Sequence, residues 1–472
     1  MTDTLFLRNS FFQLFFLVIW MLPASAQSDN QGPPNFIIVF ADDLGYGDLG
    51  VYGHPTIKTP NLDRMAHEGQ KWTNFYAAAS VCTPSRAGIL TGRLPVRSGM
   101  ASNERRVLFP DSKNGLPASE ITLAEQLKGV GYATACIGKW HLGHKEEFLP
   151  TNNGFDTYFG IPYSNDMDAT GGKDYKEAAK IGPSAIKIEA YNVPLMRDTE
   201  IIERPANQKT ITKRYSEEAV SFIKSNKDGP FFIYLAHNLP HIPLFASDAF
   251  QGQSERGLYG DVVSEIDHGV GQILQTLKQE GLAENTLVVF TSDNGPWLPF
   301  KTHGGSAGLL RAGKGTTWEG GMREPAIFWG PGQVKPGVVS DIGSTLDLFT
   351  TFSKMAGAPI PDDRVIDGVD LGPVLKKGNR SPRNEMFYYR GTELYAVRLG
   401  DFKAHFITEG EYGQFGEREE PETPILYNLS EDPSEQFDVA MEHPEVLQKI
   451  DNLINEHLSN MVMGKDMLVE RE

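Results

Sequence analysis

Cysteine is almost absent: Cys82 and Cys136 are the 2 thiols of a 472-residue chain. One disulfide is possible and a framework of them is not, so the core must supply the stability. Cations are in deficit too, 44 Lys and Arg against 61 Asp and Glu, for a formal net charge of −17. Nucleic-acid binding rests on clustered cations that release counterions, so this balance argues against such a partner. No Cys or His cluster has zinc spacing, and there is neither an internal repeat nor a low-complexity tract. Past residue 26 no segment is apolar and long enough to span a bilayer. What is present, 40% hydrophobic and 22% charged residues, suits a folded soluble protein. The length allows one large α/β domain with a smaller companion, or two to three modest domains.

The first 26 residues read as a signal peptide. Arg8 precedes an apolar run over residues 11–22, and Ala24-Ser25-Ala26 supplies the small-residue pattern at which a signal peptidase cuts. A membrane-spanning helix is the competing reading, but Gln13 interrupts the run and it falls short of the roughly 20 residues a span needs. The mature chain is expected to begin at Gln27. So few cysteines in a large exported protein point to a bacterial periplasm or exterior.

Four apolar runs end abruptly in polar residues. Asn35–Ala41 meets Asp42 and Asp43; residues 132–137 meet Gly138, Lys139, Trp140 and His141. Phe231–Ala236 meets His237, and residues 286–290 meet Thr291, Ser292, Asp293 and Asn294. Continuous rather than alternating apolarity predicts strands buried on both faces, in a mostly parallel sheet covered by helices. Ligands bind beyond the carboxyl ends of such strands, so all four polar clusters are expected on one rim. Thr122 and Glu125, in capping-box spacing, open a helix that runs to Lys128. Val262, Val263, Ile266, Val270, Ile273, Leu274 and Leu277 recur at helical spacing ahead of the strand at Thr286. Past about residue 380 the texture changes. Residues 386–389, 394–398 and 402–406 predict short antiparallel strands separated by Gly-containing turns. Residues 426–429 add another strand, and residues 443–461 a terminal amphipathic helix. A loop over residues 356–363 precedes this unit. The expected division is therefore 27–380 for a catalytic domain and 381–472 for a smaller α+β subdomain.

Asp42, Asp43, Asp293 and Asn294 would bring four oxygen-bearing side chains to one sheet edge. Such a set suits a hard cation such as Ca2+, which takes oxygen ligands at roughly 2.3–2.6 Å. Each pair alone has a plainer reading: Asp-Asp begins a turn or caps a helix, and Asn294-Gly295 is a hairpin signal. Lys139 and His141 follow one strand; His237 and His241 follow another, with Pro240 and Pro243 stiffening the backbone. A cation beside a neutral imidazole suits an anionic substrate and proton transfer near neutral pH, although any one of these histidines alone reads as structural. Residues 308–315 have the look of a P-loop. Gly315 stands where Ser or Thr should hold magnesium, and no strand feeds the loop, so nucleotide binding is a poor reading. Lys314 can still reach an anion as a point charge. Pro84 fits the first turn of a helix, placing Cys82 at an N-terminus that favours negative charge. By themselves the residues leave Cys82 as either a thiolate nucleophile or an inert buried thiol.

Cys82-Thr83-Pro84-Ser85-Arg86, continued to Leu90-Thr91-Gly92-Arg93, resembles the signature of the type I sulfatases. Residues 131–141, Gly-Tyr-Ala-Thr-Ala-Cys-Ile-Gly-Lys-Trp-His, resemble their second signature. Similarity to the arylsulfatase A branch continues through residues 160–164, 241–243, 291–295, 313–325 and 426–433, nearly the whole mature chain. The resemblance implies an alkaline-phosphatase-like α/β fold that hydrolyses sulfate monoesters of a small molecule or glycan. It implies that a modifying enzyme converts Cys82 to formylglycine, whose hydrate is a geminal diol. Asp42, Asp43, Asp293 and Asn294 would hold Ca2+ together with an oxygen of residue 82.

The same resemblance assigns the remaining roles. One diol oxygen attacks sulfur while Lys139, Lys314 and the metal hold the sulfate oxygens, so that positioning and charge do most of the work. His241, helped by Lys314, protonates the departing alkoxide, and His141 takes the proton of the second hydroxyl to expel sulfate. Arg86 pairs with the metal-site carboxylates, and Ser164 hydrogen-bonds in the sulfate pocket. A serine hydroxyl at position 82 would lack the second hydroxyl and stay sulfated. Arg93 is expected to support its loop and His237 to be a wall or structural residue. Substrate choice is expected from loops such as residues 166–205. Animal members of the branch contain many disulfide cysteines, and this departure favours a bacterial periplasmic or secreted enzyme over a lysosomal one. Two other readings compete: a phosphoester or phosphonate ester hydrolase on the same scaffold, and a non-catalytic sulfated-glycan binding protein.

Overall fold

Ten strands lie side by side in the computed structural model, which describes residues 1–2, 32–170, 188–411 and 413–472. The expected signal peptide, apart from residues 1–2, lies outside the described residues; residues 32–472 form one compact unit. In chain order the strands are β1 (Asn35–Ala41), β2 (Gln70–Tyr76), β3 (Ala133–Lys139), β4 (Thr157–Ile161) and β5 (Leu195–Arg197). They continue as β6 (Glu200–Glu203), β7 (Phe231–Ala236), β8 (Thr286–Ser292), β9 (Arg323–Trp329) and β10 (Gly337–Ser344). Their spatial order is β10-β2-β9-β8-β1-β7-β3-β4-β5-β6. The block β8-β1-β7-β3-β4 is parallel throughout. β9 runs against both its neighbours, and β5 against both of its own.

The central strands are buried on both faces, as their unbroken apolarity requires. Phe36, Ile38 and Phe40 of β1 enter one core with residues of the helices Cys82–Thr91, Leu123–Lys128 and Asp347–Ala356. Ile37, Val39 and Ala41 enter the other, against the helices Gln208–Ser225 and Leu258–Gln279. Each large apolar side chain so buried is worth about 1.5–3 kcal/mol, which anchors the strand ends firmly. The helix after Thr122 starts as expected: Thr122 Oγ1 accepts from the Glu125 amide at 3.1 Å, and Glu125 accepts from the Thr122 amide at 2.7 Å.

Register aligns the carboxyl ends. Phe40 pairs with Ala236, Ala41 with Ser292, and Ala236 with Gly138, so the chain leaves four adjacent strands at nearly one level. β3 extends to Lys139, two residues beyond the apolar run. Gly138 permits this with φ +110° and with no room for a side chain, since a Cβ there would lie 1.8 Å from the Ala236 carbonyl oxygen. β9 begins Arg323-Glu324-Pro325 and β10 exposes Gly337, Val338 and Ser340 at the sheet edge, so neither carries an apolar-run signal.

A second sheet contains β11 (Glu385–Arg390), β12 (Glu393–Leu399), β13 (Phe402–His405) and β14 (Ile425–Asn428), antiparallel in that order. The helix Pro444–Ser459 sets Val446 and Ile450 against Val397, Ala404 and Leu426 of this sheet. The tail then returns to the main body, where the Gly464 amide donates to the Val96 carbonyl at 2.9 Å and Leu468 is fully buried.

Candidate active site

Oxygen-bearing, sulfur-bearing and cationic groups converge beyond β8, β1, β7 and β3. Ligand atoms of Asp42, Asp43, Asp293 and Cys82 all lie within 4.8 Å of one another, and all four residues are buried. Asp42 and Asp43 follow β1; Asp293 and Asn294 follow β8. Cys82 is the first residue of its helix, as Pro84 requires. Asp43 and His141 have φ of +64° and +60°, so two residues of the site hold a strained left-handed backbone.

Each carboxylate has a cationic partner. Lys139 Nζ donates to Asp42 Oδ2 at 2.6 Å and to Ser164 Oγ at 3.3 Å. Arg86, fully buried, donates to Asp293 Oδ2 at 2.9 Å and to the Lys139 carbonyl at 2.8 Å, and it lies 3.6 Å from Asp42. Lys314 Nζ donates to Asp43 Oδ1 at 2.7 Å and lies 3.4 Å from Cys82 Sγ, whose thiol faces Asp42 Oδ1 at 3.4 Å. The pairs do not settle every charge. Burial first, and then the neighbouring Asp42, push Asp293 up to about 7, while burial outweighs Lys314 and holds Asp43 at about 6.

The cluster therefore carries protons near neutral pH that a dication would displace. Asn294 adds an acceptor. Its amide nitrogen donates to Asp43 Oδ1 at 2.7 Å, whereas its buried Oδ1 has no hydrogen-bond partner. Three carboxylates and one unpartnered amide oxygen, with no imidazole nitrogen required, fit a hard oxygen-seeking cation such as Ca2+.

The histidines differ. His141 Nε2 donates to the Leu108 carbonyl at 2.8 Å, which leaves Nδ1 as a buried lone pair with no partner. Burial, and then Lys139, hold it well below the ordinary imidazole range, so it is a neutral proton acceptor. Thr83 locks the geometry from the side of Cys82: its Oγ1 donates to the His141 carbonyl at 3.1 Å and accepts from the Leu108 amide at 3.1 Å. His241 Nδ1 donates to the Ile242 carbonyl at 2.5 Å, and Nε2 points to Asp43 Oδ2 at 3.7 Å. His237 does not join the cluster. It is buried, neutral with its pKa lowered to about 4, without hydrogen bonds at either ring nitrogen, and packed 6.2 Å from the Tyr215 ring. Arg93 also stands apart, donating to Glu120 at 2.8 Å.

Burial, and then Asp42, push the Cys82 thiol well above its ordinary value, against the opposing lysines. A thiolate nucleophile is therefore disfavoured in this setting. Two contributors escape sequence reading. Trp297 places its ring 4.4 Å from Lys314 Nζ and 5.2 Å from the His241 ring; an aromatic three residues past Asn294 was the available signal. The Leu108 carbonyl that fixes the His141 tautomer gives none.

Comparison with known proteins comes to the same place. The family model described as "Sulfatase" matches residues 34–358, and that of the "C-terminal region of aryl-sulfatase" matches residues 381–472. The chain is 42% identical to arylsulfatase A of Homo sapiens, over 89% of this chain and 87% of that one. It is 42% identical to N-acetylgalactosamine-6-sulfatase of Mus musculus, over 92% and 88% respectively. Among solved structures, Ps i-CgsB in complex with k-i-k-neocarrahexaose superposes with a TM-score of 0.75 at 31% identity, covering 92% of this chain and 94% of that one.

Proposed function

The chain belongs to the sulfatase family and is a sulfuric ester hydrolase of alkaline-phosphatase-like fold, and on that premise we propose that it desulfates carbohydrates with a formylglycine made from Cys82 and a bound Ca2+. The observation that carries the reading is the juxtaposition of Asp42, Asp43, Asp293 and Cys82 inside a ring of Lys139, Lys314 and Arg86. Carbohydrate is favoured by the names of its relatives, one an N-acetylgalactosamine-6-sulfatase and another solved with a neocarrahexaose.

Asp42, Asp43, Asp293 and the Oδ1 of Asn294 would hold the metal, which would supply positive charge to the sulfate group and to residue 82. The hydrated aldehyde supplies two hydroxyls on one carbon, one to attack sulfur and one to be deprotonated when sulfate leaves. Around these groups the chain's own residues bind and move protons. Lys139 and Lys314 would take sulfate oxygens, and Ser164 steadies Lys139. Arg86 holds Asp42 and Asp293 in position. His141 accepts a proton at Nδ1, the nitrogen left open by its bond to Leu108. Lys314 and His241 stand on the leaving-group side, where a proton must reach the departing alkoxide. A dedicated modifying enzyme, cleavage after Ala26, export to a bacterial periplasm or exterior, and a boundary near residue 380 belong to the same proposal. No helix among the described residues is long and apolar enough to cross a membrane.

Mass spectrometry of the peptide containing residue 82 tests the core of the reading: the aldehyde or its hydrate is expected. Cys82→Ala should leave no measurable sulfate release, and Cys82→Ser should retain the substrate's sulfuryl group on the protein. Full turnover by protein with an unmodified thiol would overturn the mechanism.

A further inference from the structure

The carbonyl that fixes the tautomer of His141 comes from a segment with no frame of its own. Residues 99–122 form neither helix nor strand, and Leu108 lies in their middle. Its amide donates to Thr83 Oγ1 at 3.1 Å and its carbonyl accepts from His141 Nε2 at 2.8 Å. Ordering so irregular a backbone costs conformational entropy that contacts from elsewhere in the fold must offset.

Many of those contacts come from residues 464–472. The Met467 amide donates to the Gly99 carbonyl at 3.0 Å, where the irregular segment begins. Further along, the Lys113 amide donates to the Glu470 carbonyl at 3.1 Å and the Glu472 amide to the Asp111 carbonyl at 2.9 Å. Between them Ser112 and Arg471 form an antiparallel bridge. The Arg471 side chain strengthens the joint, with Nη1 donating to Asp111 Oδ1 at 2.6 Å and to Ser112 Oγ at 2.5 Å. Its guanidinium also lies 4.9 Å from the centre of the Phe109 ring. Lys145, four residues past His141, pairs with Glu472 at 3.0 Å, and Leu108 and Leu468 are buried in the same core. One short run of chain therefore grips both sides of the bond between Leu108 and His141.

A neutral imidazole carries a single proton. With the Leu108 carbonyl in place the proton stays on Nε2 and the lone pair on Nδ1; with the carbonyl withdrawn, either nitrogen can carry it.

Resting on the reading of His141 as the base that expels sulfate, we propose that residues 464–472 are a positioning clamp for that step, with Arg471 as its principal residue. In the step the proton of the free hydroxyl on residue 82 passes to His141 Nδ1. The electron pair of the broken O–H bond closes the carbonyl, and the carbon–oxygen bond to the ester breaks with its pair on the departing sulfate. The earlier transfer from substrate to residue 82 does not use His141.

Arg471→Ala tests the clamp, together with Asp111→Ala, which removes the same pair from an exposed position. Long-range proton–nitrogen NMR of isotope-labelled histidine needs no modified residue, and loss of a signal in His141→Gln identifies the ring. The proton should reside on Nε2 in the parent and be shared with Nδ1 in both variants. In enzyme carrying formylglycine, kcat for p-nitrophenyl sulfate should fall about tenfold with kcat/KM retained. Mass spectrometry should then show protein bearing one sulfuryl group accumulating during turnover. Arg471→Lys, which keeps a cation beside Asp111, should recover most of the rate. An unchanged imidazole spectrum in both alanine variants overturns the clamp, as does an equal loss of kcat and kcat/KM, the mark of a merely loosened fold. A shared proton with undiminished kcat overturns instead the role of His141 on which the proposal rests.

Discussion

Lys314 links the site's acid to its sulfur: the ammonium donates to Asp43 Oδ1 at 2.7 Å and lies 3.4 Å from Cys82 Sγ. It arrives on a loop between Gly313 and Gly315, with the Trp297 ring 4.4 Å away. A compact cation in that niche can follow a sulfate oxygen as charge develops. Lys314→Ala should lower kcat/KM for an aryl sulfate by about 10²–10³-fold. Lys314→Arg should not restore it, because a planar fork does not replace a point charge in a closed pocket. Near-parental steady-state rates in Lys314→Ala would remove the residue from the chemistry.

Calcium should stabilise the protein independently of turnover. At a hundredfold excess over Kd a ligand specific for the folded state adds about 2.7 kcal/mol, so thermal unfolding should shift upward on adding Ca2+ to chelated protein. Asn294→Ala, which removes a buried oxygen without a hydrogen-bond partner beside the three carboxylates, should shrink that shift. An identical calcium response in the variant would take Asn294 out of the metal site.

Gly138→Ala should be among the most damaging single-methyl additions in the chain. The new Cβ would overlap the Ala236 carbonyl at 1.8 Å at the carboxyl end of the β3–β7 ladder, at a φ of +110°. Loss of more than about 4 kcal/mol is expected, read as a lowered urea midpoint or as insoluble protein. Because Lys139 is the next residue, any surviving protein should also bind sulfate poorly.

Acid should loosen the contact between the main body and the second sheet. Burial alone would raise Glu319, but Lys403, Arg323 and Arg398 outweigh it and hold the carboxyl at about 2. Glu319 accepts from Tyr76 at 2.6 Å and from Lys403 at 2.9 Å. A folded value below the unfolded value of about 4.3 means that the stability is fully present above that pH. It is lost as pH falls towards 2, and amounts to roughly 3 kcal/mol. Glu319→Gln should therefore cost most at pH 7, with the gap in melting temperature from the parent closing below pH 4. A gap that stays constant between pH 7 and pH 3 would contradict this assignment.

Local chemistry made much of this molecule readable. Asp42-Asp43, Lys139 with His141, and Asp293-Asn294 each sit within a few residues of an apolar run, so strand and polar cluster are visible in one short window. Pro84 starts the helix that presents Cys82, and the capping box at Thr122 and Glu125 is complete within four positions. The four-stranded C-terminal sheet announced itself through aromatic-rich runs and glycine turns. β9 did not, because Arg323 and Glu324 read as loop residues although both are buried.

By itself, then, the sequence determined which segments become the central strands and which polar groups stand at their ends, since burial on two faces and backbone conformation are set by neighbouring residues. Only the tertiary structure decided that β8, β1, β7 and β3 lie side by side, that Lys314 comes in from a segment with no strand of its own, and that Leu108 chooses the proton-bearing nitrogen of His141. It likewise decided that residues 470–472 lie against residues 111–113. These contacts join residues tens to hundreds of positions apart, and packing between layers, which leaves no period in the chain, is what selects them.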